Sequence, residues 1–132
     1  MERSDFADWV SRYEQAWRTP GTQELAGLFT TDATYRTSPY EAPFEGLEAI
    51  ERMWERERED AEEVFSMRSR VIAADGGTGV IRVEVDYGEP SGQSYRDLWV
   101  VELREDGRAR SFEEWPFWPP GSKGELPASE AG

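Results

Sequence analysis

The chain has 132 residues and carries 28 acidic against 15 basic side chains, a formal net charge of -13. This charge argues against binding nucleic acid or an anionic membrane by bulk electrostatics. The sequence contains neither cysteine nor histidine, which excludes disulfides, thiolate chemistry and the commonest metal ligand and proton carrier. Any catalysis would therefore use carboxylates, tyrosines and arginines, and we expect no metal and no cofactor.

The hydropathy pattern predicts one cytoplasmic domain. No run of residues is apolar enough to span a bilayer, and charged side chains interrupt the N-terminal segment where a signal peptide would need an apolar core. Residues 1–118 share one hydrophobic pattern and form the predicted domain. From residue 119 onward Pro, Gly, Ser, Ala and Glu predominate, so residues 119–132 are predicted to be a disordered tail.

Two helices are predicted at the beginning of the chain. Apolar residues spaced by three and four form one stripe, which predicts the first helix: Phe6, Trp9, Val10, Tyr13, Ala16 and Trp17. Ser4 or Asp5 is suited to cap this helix, and Thr-Pro-Gly at residues 19–21 ends it. Thr22 then caps a short second helix, whose buried side consists of Leu25, Leu28 and Phe29.

The middle of the chain alternates between strand and helix signals. A short strand is predicted after Asp32, and residues 44–46 suit a brief edge strand. A third helix is expected from Leu47 into the low sixties. Residues 64–74 and 80–87 then alternate apolar and polar side chains around an Asp-Gly-Gly turn, which predicts two paired strands with one covered face.

A β-hairpin is predicted around Asp106-Gly107, a dipeptide typical of two-residue type I′ turns. With these two residues as the loop, the register pairs Leu103 with Arg110, Val101 with Phe112 and Trp99 with Glu114. A bulge is suggested near Pro116, since proline cannot donate to a strand ladder.

The hairpin has one apolar face that also carries two carboxylates, Asp97 and Glu114. A buried carboxylate must be paired, hydrogen-bonded or protonated, so these residues are the first candidates for chemistry. A register slip of one residue would exchange the faces of Glu114 and Glu113. The sequence leaves open which of the two glutamates faces inward.

Helices followed by antiparallel strands predict an α+β domain, in which a curved antiparallel sheet wraps around the N-terminal helices into a cone with a central pocket. The order of segments resembles the nuclear transport factor 2 superfamily, including its SnoaL-like members. The segments that carry the resemblance are residues 10–13, 28–35, 44–50 and the turn at 106–108. The resemblance covers about residues 6–118. It implies the cone fold but no single function, since the superfamily includes isomerases, cyclases, hydrolases, carriers and dimerisation modules.

The resemblance also suggests site residues. Tyr13 matches the tyrosine on the opening helix of ketosteroid isomerase. The second acid of that enzyme matches Trp99, with Asp97 two residues away on the same face. The expected carboxylate base falls near Thr37 or Ser38, and neither can serve as one. Only part of the isomerase machinery is therefore present.

Other members of the superfamily fit to different degrees. A limonene epoxide hydrolase would need an arginine and an aspartate on one strand face, whereas Arg96 and Asp97 are adjacent and face opposite sides. Only an Asp97–Glu114 pair would remain of that arrangement. Histidine-dependent dehydratases are excluded by composition. A SnoaL-like cyclase, which needs chiefly one aspartate, stays open.

We therefore expect a small hydrophobic-ligand-binding protein of SnoaL-like type. Asp97, Tyr13 and Glu114 are the catalytic candidates for metal-free acid-base chemistry of isomerase, cyclase or lyase type. The candidates for ligand contact are aromatic: Trp9, Trp17, Tyr35, Tyr40, Trp54, Tyr87, Tyr95 and Trp99. The alternative is a non-enzymatic dimerisation or carrier module, in which the same aromatic residues form an ordinary core.

The outer face of the hairpin predicts a homodimer. Leu98, Val100, Trp115 and Phe117 lie there among charged residues, a strip too apolar for a small monomer to leave in water. The expected partners are therefore a small hydrophobic molecule and a second copy of the chain, with no nucleic acid and no membrane.

Overall fold

The computed structural model describes residues 1–57, 65–87 and 94–119, which contain three helices and six strands. In chain order these are α1 (Arg3–Arg18), α2 (Leu25–Leu28), β1 (Phe29–Arg36), β2 (Phe44–Glu45), α3 (Leu47–Glu57), β3 (Phe65–Asp75), β4 (Thr78–Tyr87), β5 (Ser94–Leu103) and β6 (Ala109–Phe117). The predicted continuation of the third helix and the predicted tail from residue 120 onward lie outside the described residues. No helix within them is long and apolar enough to cross a membrane.

The six strands form one curved, unclosed sheet in the order β2-β1-β6-β5-β4-β3. Strands β3 to β6 form the expected antiparallel meander. Strand β1 pairs with β6 in parallel, so the expectation of a purely antiparallel sheet was wrong at this one pairing. The α+β fold class is confirmed.

Helix α1 packs its aromatic stripe against the concave face of the sheet. The Trp9 and Tyr13 rings of this helix contact Trp99 of β5 and Phe112 of β6. The Trp9 indole N–H also donates a hydrogen bond of 3.0 Å to the Leu28 carbonyl, which joins the two N-terminal helices. Burial of these rings stabilises the fold.

The close approach of α1 to the sheet depends on Gly79 of β4. A Cβ atom at this position would overlap the ring of Phe6. The missing side chain therefore lets Phe6, which is fully buried, lie directly on the sheet backbone.

Three predicted boundaries were wrong by a few residues. Helix α1 begins at Arg3 with Glu2 as its N-cap, so neither Ser4 nor Asp5 caps it. Asp5 lies in the first turn, where its carboxylate accepts a hydrogen bond of 2.7 Å from the Glu2 backbone N–H. The N-cap of α2 is Glu24 and not Thr22. The strand expected after Asp32 begins earlier, since Phe29 already has extended backbone angles and opens β1.

The turn between β5 and β6 differs from the predicted type I′ turn. Only Gly107 has a positive φ there, at +85°, and Asp106 does not. The Gly107 N–H donates to the Arg104 carbonyl at 2.9 Å, and the Arg104 N–H donates to the Arg108 carbonyl at 2.8 Å. This is a three-residue loop, in which a type I turn is followed by glycine in the left-handed region.

The longer loop changes the register only next to the turn. Leu103 pairs with Ala109, so the predicted pairing with Arg110 was wrong. An irregularity beside Leu103 then restores the predicted register, and Val101 pairs with Phe112 and Trp99 with Glu114. The bulge suggested at Pro116 is absent from the described hairpin, because Pro116 pairs regularly with Asp97.

Candidate functional site

Two acidic side chains from β5 and β6 lie on the concave face. Asp97 is only 2% exposed. Glu114 is opposite Trp99 in the sheet register, which places it diagonally beside Asp97. Glu113 faces the outer side, where its carboxylate lies 3.3 Å from the Arg36 guanidinium. Of the two adjacent glutamates, Glu114 is therefore the one that meets Asp97.

The pKa values of Asp97 and Glu114 are both raised. Burial raises the pKa of Asp97, although hydrogen bonds from Glu114 and from the Trp99 indole oppose this rise. Burial raises the pKa of Glu114 well above its usual range, and the hydrogen bond to Asp97 and its negative charge raise it further. The negative charge of each carboxylate opposes ionisation of the other, so the pair favours the state that carries one proton.

The two oxygens of Asp97 have different surroundings. Oδ2 accepts a hydrogen bond of 3.1 Å from the Trp99 indole N–H. Oδ1 is buried and receives no hydrogen bond from the described part of the chain. A proton on Glu114 gives Asp97 a further donor, because a protonated carboxyl group can donate one hydrogen bond.

Within the described ranges, no arginine offsets the charge of this pair, since none contributes to the pKa of either carboxyl group. The arginines on nearby strands pair on the outer face instead, Arg36 with Glu113 and Arg96 with Glu84. The described residues also contain no group of three or more acidic side chains arranged to hold a metal ion.

Two buried tyrosines lie across the concave space. The hydroxyl oxygens of Tyr13 and Tyr35 are 2.7 Å apart, and both rings stack on Phe112. Burial raises the pKa of both phenols well above 10, and a negative charge on Glu114 would raise it further. Both hydroxyls therefore stay protonated at neutral pH. When one donates to the other, the accepting tyrosine keeps its own proton for a third group.

The tryptophans named as candidates for ligand contact fill much of the interior. Trp9 and Trp54 are fully buried and Trp99 is nearly so. Trp17 is partly exposed and packs edge-on against Trp54 at a centroid distance of 4.8 Å. These four residues are consequently part of the core, whatever else they contact.

A row of aromatic residues continues from the site toward one end of the sheet. We call it the aromatic row; its members are Phe65, Tyr87, Tyr95 and Trp118, with consecutive centroids 5.9, 6.1 and 4.8 Å apart. All four are partly exposed. Tyr95 precedes Asp97 by two residues on the same strand face, so the row reaches the carboxyl pair. The sequence prediction missed Trp118, although extending the predicted hairpin register places it opposite Tyr95.

Tyr40 lies outside this group. Its side chain is 99% exposed, in the loop between β1 and β2. The Arg36 guanidinium donates to the Glu41 carbonyl within the same loop. The contact of Tyr40 with a ligand stays a prediction, and its side chain lies apart from the buried aromatic candidates.

Comparison with known proteins gives the family. A model of the SnoaL-like domain matches residues 10–112. The chain belongs to the SnoaL-like domain family. Among curated proteins, no sequence matches the chain.

Solved structures share the fold of this SnoaL-like domain. A SnoaL-like family protein from Agrobacterium tumefaciens has a TM-score of 0.67 at 16% identity, covering 86% of this chain and 98% of that chain. A steroid delta-isomerase from Pseudomonas aeruginosa has a TM-score of 0.59 at 19% identity, covering 97% and 96%. An LEH-like epoxide hydrolase from M. tuberculosis has a TM-score of 0.61 at 13% identity, covering 89% and 86%. These similarities establish the nuclear transport factor 2-like fold.

The segment matched by the family model contains most of the site. Tyr13, Tyr35 and Asp97 of the SnoaL-like domain lie within residues 10–112, whereas Glu114 lies two residues beyond them. Thr37 and Ser38, at the position where a ketosteroid isomerase would have its base, carry no carboxylate. The two acidic side chains of this candidate site therefore lie on β5 and β6.

Proposed function

We propose that this SnoaL-like domain binds a small hydrophobic molecule within the cone and catalyses a metal-free acid-base reaction on it. The observation that carries the proposal is the Asp97 carboxylate, which is 2% exposed and has one oxygen without a hydrogen-bond donor among the described residues. Keeping such a group costs folding free energy. A site of this kind is more often retained for function than for stability.

The pair offers a base and an acid at neighbouring positions. Burial raises the pKa of Asp97, which makes its carboxylate a stronger base than an exposed aspartate. It would remove a proton from a carbon next to a carbonyl, and the electron pair of the C–H bond would move to the carbonyl oxygen. Protonated Glu114 or Tyr13 would donate a hydrogen bond to that oxygen. Return of the proton at another carbon completes an isomerisation, and loss of a leaving group completes an elimination.

The similar structures support chemistry of this type but do not identify the reaction of this chain. The titles of two similar structures describe a steroid delta-isomerase and an epoxide hydrolase. Because one fold can carry many reactions, the choice among isomerase, cyclase and lyase rests on the site residues.

The second candidate is a non-enzymatic carrier or dimerisation module. The observation in its favour is the burial of Trp9, Trp54 and Trp99, which together fill much of the interior. In that case Asp97 would be an acceptor for the Trp99 indole and would have a structural role only.

The Asp97→Asn variant distinguishes these functions, since asparagine keeps the shape and removes the charge. Asp86→Asn is the matched control, because Asp86 is exposed on β4. Binding is measured with the neutral dye Nile red, and proton transfer by the absorbance of the conjugated product formed from a β,γ-unsaturated steroid ketone.

We expect saturable dye binding by the wild type, and a turnover rate that falls by about 100-fold in Asp97→Asn and is unchanged in Asp86→Asn. Dye binding without turnover would favour the carrier. Absence of both, with a loss of about 1 to 3 kcal/mol of stability in Asp97→Asn, would favour the dimerisation module and contradict the proposal.

We also propose that the chain is a homodimer, joined through the outer face of the sheet. Trp115 and Phe117 are 38% and 56% exposed on that face, and Leu98 and Val100 are partly exposed between them and β4. The cytoplasmic location expected from the sequence stays a prediction.

A further inference from the structure

The carboxyl pair lacks a cation among the described residues. Its electrostatic partners there are each other and uncharged donors. The inward-facing groups of the surrounding elements are Tyr13 from α1, Tyr35 from β1, Tyr87 from β4 and Tyr95 from β5. The inner side of α3 adds apolar residues and Trp54, and β3 adds Phe65 and Met67. A net negative charge is therefore surrounded by neutral groups.

The groups around this charge are mainly aromatic. Trp99, which donates to Asp97, packs against the Tyr13 ring at a centroid distance of 4.6 Å. Tyr95 follows on the same strand face and leads to the aromatic row. The faces of tyrosine and tryptophan rings attract organic cations, and the attraction is stronger where water is excluded. Aromatic rings beside an uncompensated carboxylate form the usual environment for recognition of an ammonium group.

The aromatic row also contacts a cation at its outer end. The Arg18 guanidinium lies 3.9 Å from the centroid of the Phe65 ring. Arg18 is held there by Glu14, at 2.7 Å, and by the Phe65 carbonyl. A cation on an aromatic face is thus already present within the same row, supplied by the protein.

We propose that the ligand of this site is a hydrophobic amine, bound as its ammonium ion, whose N–H donates to Oδ1 of Asp97 and whose apolar body contacts the aromatic row. The inference rests on the binding part of the proposed function, because it names a ligand class of the same site. An ammonium ion held by Asp97 takes that carboxylate out of use as a base, so the bound amine competes with the acid-base reaction. The ammonium N–H takes the place of the Glu114 proton, which passes to solvent. No covalent bond forms or breaks apart from that O–H bond.

The exchange of a proton for a cation predicts the pH dependence. Below the raised pKa of Glu114, each binding event releases up to one proton, so the affinity should rise as pH rises, by at most about tenfold per unit. The affinity of a neutral ligand of the same shape should not rise, because it leaves the proton in place. An anion should be excluded, because it would lie beside the charge of Asp97.

The experiment uses three probes of similar shape and different charge: phenethylammonium, phenethyl alcohol and phenylacetate. Each is titrated into the full chain by calorimetry, from about pH 5.5 to pH 8.5, up to about 10 mM. We expect phenethylammonium to bind at least about tenfold more tightly than the alcohol at pH 8, with proton release measured in buffers of different ionisation enthalpy. Phenylacetate should not bind.

Two glutamine variants test the role of Glu114. Glu114→Gln supplies a permanent amide donor to Asp97, so ammonium binding should persist but lose its rise with pH. Glu113→Gln, the outward-facing neighbour, should keep the wild-type pH dependence. Asp97→Asn should abolish the preference for the cation.

Tighter or equal binding of the alcohol would overturn the amine inference, and so would phenethylammonium binding that is insensitive to both pH and Asp97→Asn. Failure of all three probes would overturn it as well. The Nile red and ketone assays test the proposed function independently, so its failure is distinguishable from failure of the amine inference.

Discussion

Asp97 shows how one buried side chain depends on the protonation of another. Trp99 donates to Oδ2, and a proton on Glu114 gives Asp97 a second donor. Strand alternation was sufficient to place Asp97 on the apolar face. It could not decide between Glu113 and Glu114, because that choice depends on the register beyond the turn. Nor could it show that Tyr35 of β1 would meet Tyr13 of α1, since this contact joins two elements that pack only in the folded molecule.

The raised pKa of Glu114 predicts a loss of stability as pH rises. An acid whose pKa is higher in the folded protein stabilises the fold fully below its unfolded-state pKa, about 4.3 for glutamate, and this contribution is lost as pH rises through the folded-state pKa. The raised pKa of Asp97 acts in the same direction. Glutamine at position 114 does not titrate and keeps a donor toward Asp97.

We therefore expect Glu114→Gln to be more stable than the wild type at high pH, by about 1 to 3 kcal/mol, and to differ little near pH 5. Urea unfolding at several pH values measures the free energy of unfolding of both proteins. Subtracting one value from the other at each pH cancels the contributions of the carboxylates that both proteins contain. Glu113→Gln is the control and should follow the wild type. A difference that does not change with pH would contradict the shared proton.

The Tyr13–Tyr35 hydrogen bond predicts coupling between two substitutions. Tyr35→Phe leaves the buried Tyr13 hydroxyl without its partner at 2.7 Å, and should cost about 1 to 3 kcal/mol. The double variant Tyr13→Phe/Tyr35→Phe should cost less than the sum of the two single changes. Tyr40→Phe, at an exposed position, should change the stability by less than about 0.5 kcal/mol. Additive costs in urea unfolding would show that the two hydroxyls do not interact in solution.

At the scale of elements, local sequence signals predicted most helices and strands. The predictions that were wrong have either a local cause, the type of the hairpin turn, or a long-range one, the pairing of distant strands. Asp106-Gly107 fits either a two-residue or a three-residue loop, since both need glycine with a positive φ at Gly107. The parallel pairing of β1 with β6 could not be predicted from alternation, because it joins residues as far apart in the chain as Phe29 and Ala109, and the chain contains other possible partners. The inward face of the hairpin was nevertheless correct, because the irregularity beside Leu103 restores the register.

Gly107 in the hairpin turn and Gly27 in α2 should respond oppositely in stability when each is changed to alanine. Gly107 has a φ of +85°, which alanine adopts only with strain, so Gly107→Ala should cost about 1 to 2 kcal/mol. Gly27 lies in α2 with no atom near the position of an added Cβ, so Gly27→Ala should stabilise the protein by up to about 1 kcal/mol. Urea midpoints compare the two variants. Equal changes in the urea midpoints of the two variants would mean that a side chain at position 107 does not strain the turn.

At the scale of the whole molecule, the outer face of the sheet differs from the rest of the surface in charge. The chain carries a net charge of -13, yet three arginines, Arg68, Arg82 and Arg96, surround Glu84 there at 3.0, 3.5 and 3.9 Å. Two copies that meet through this face would therefore repel each other less than they would through other faces. The exposed rings of Trp115 and Phe117 supply apolar area beside this network.

The homodimer prediction is tested by changing the centre of this face. Leu98 is opposite both Arg82 and Trp115 in the sheet register, and its side chain points away from the concave site. Sedimentation of the wild type at micromolar concentration should give about twice the chain mass of 15.1 kDa. Leu98→Asp should give the mass of one chain, because an unpaired carboxylate would be buried at the interface. Ile72→Asp, at an exposed position on β3, should stay dimeric. A wild type that sediments as a single chain at high concentration would contradict the dimer.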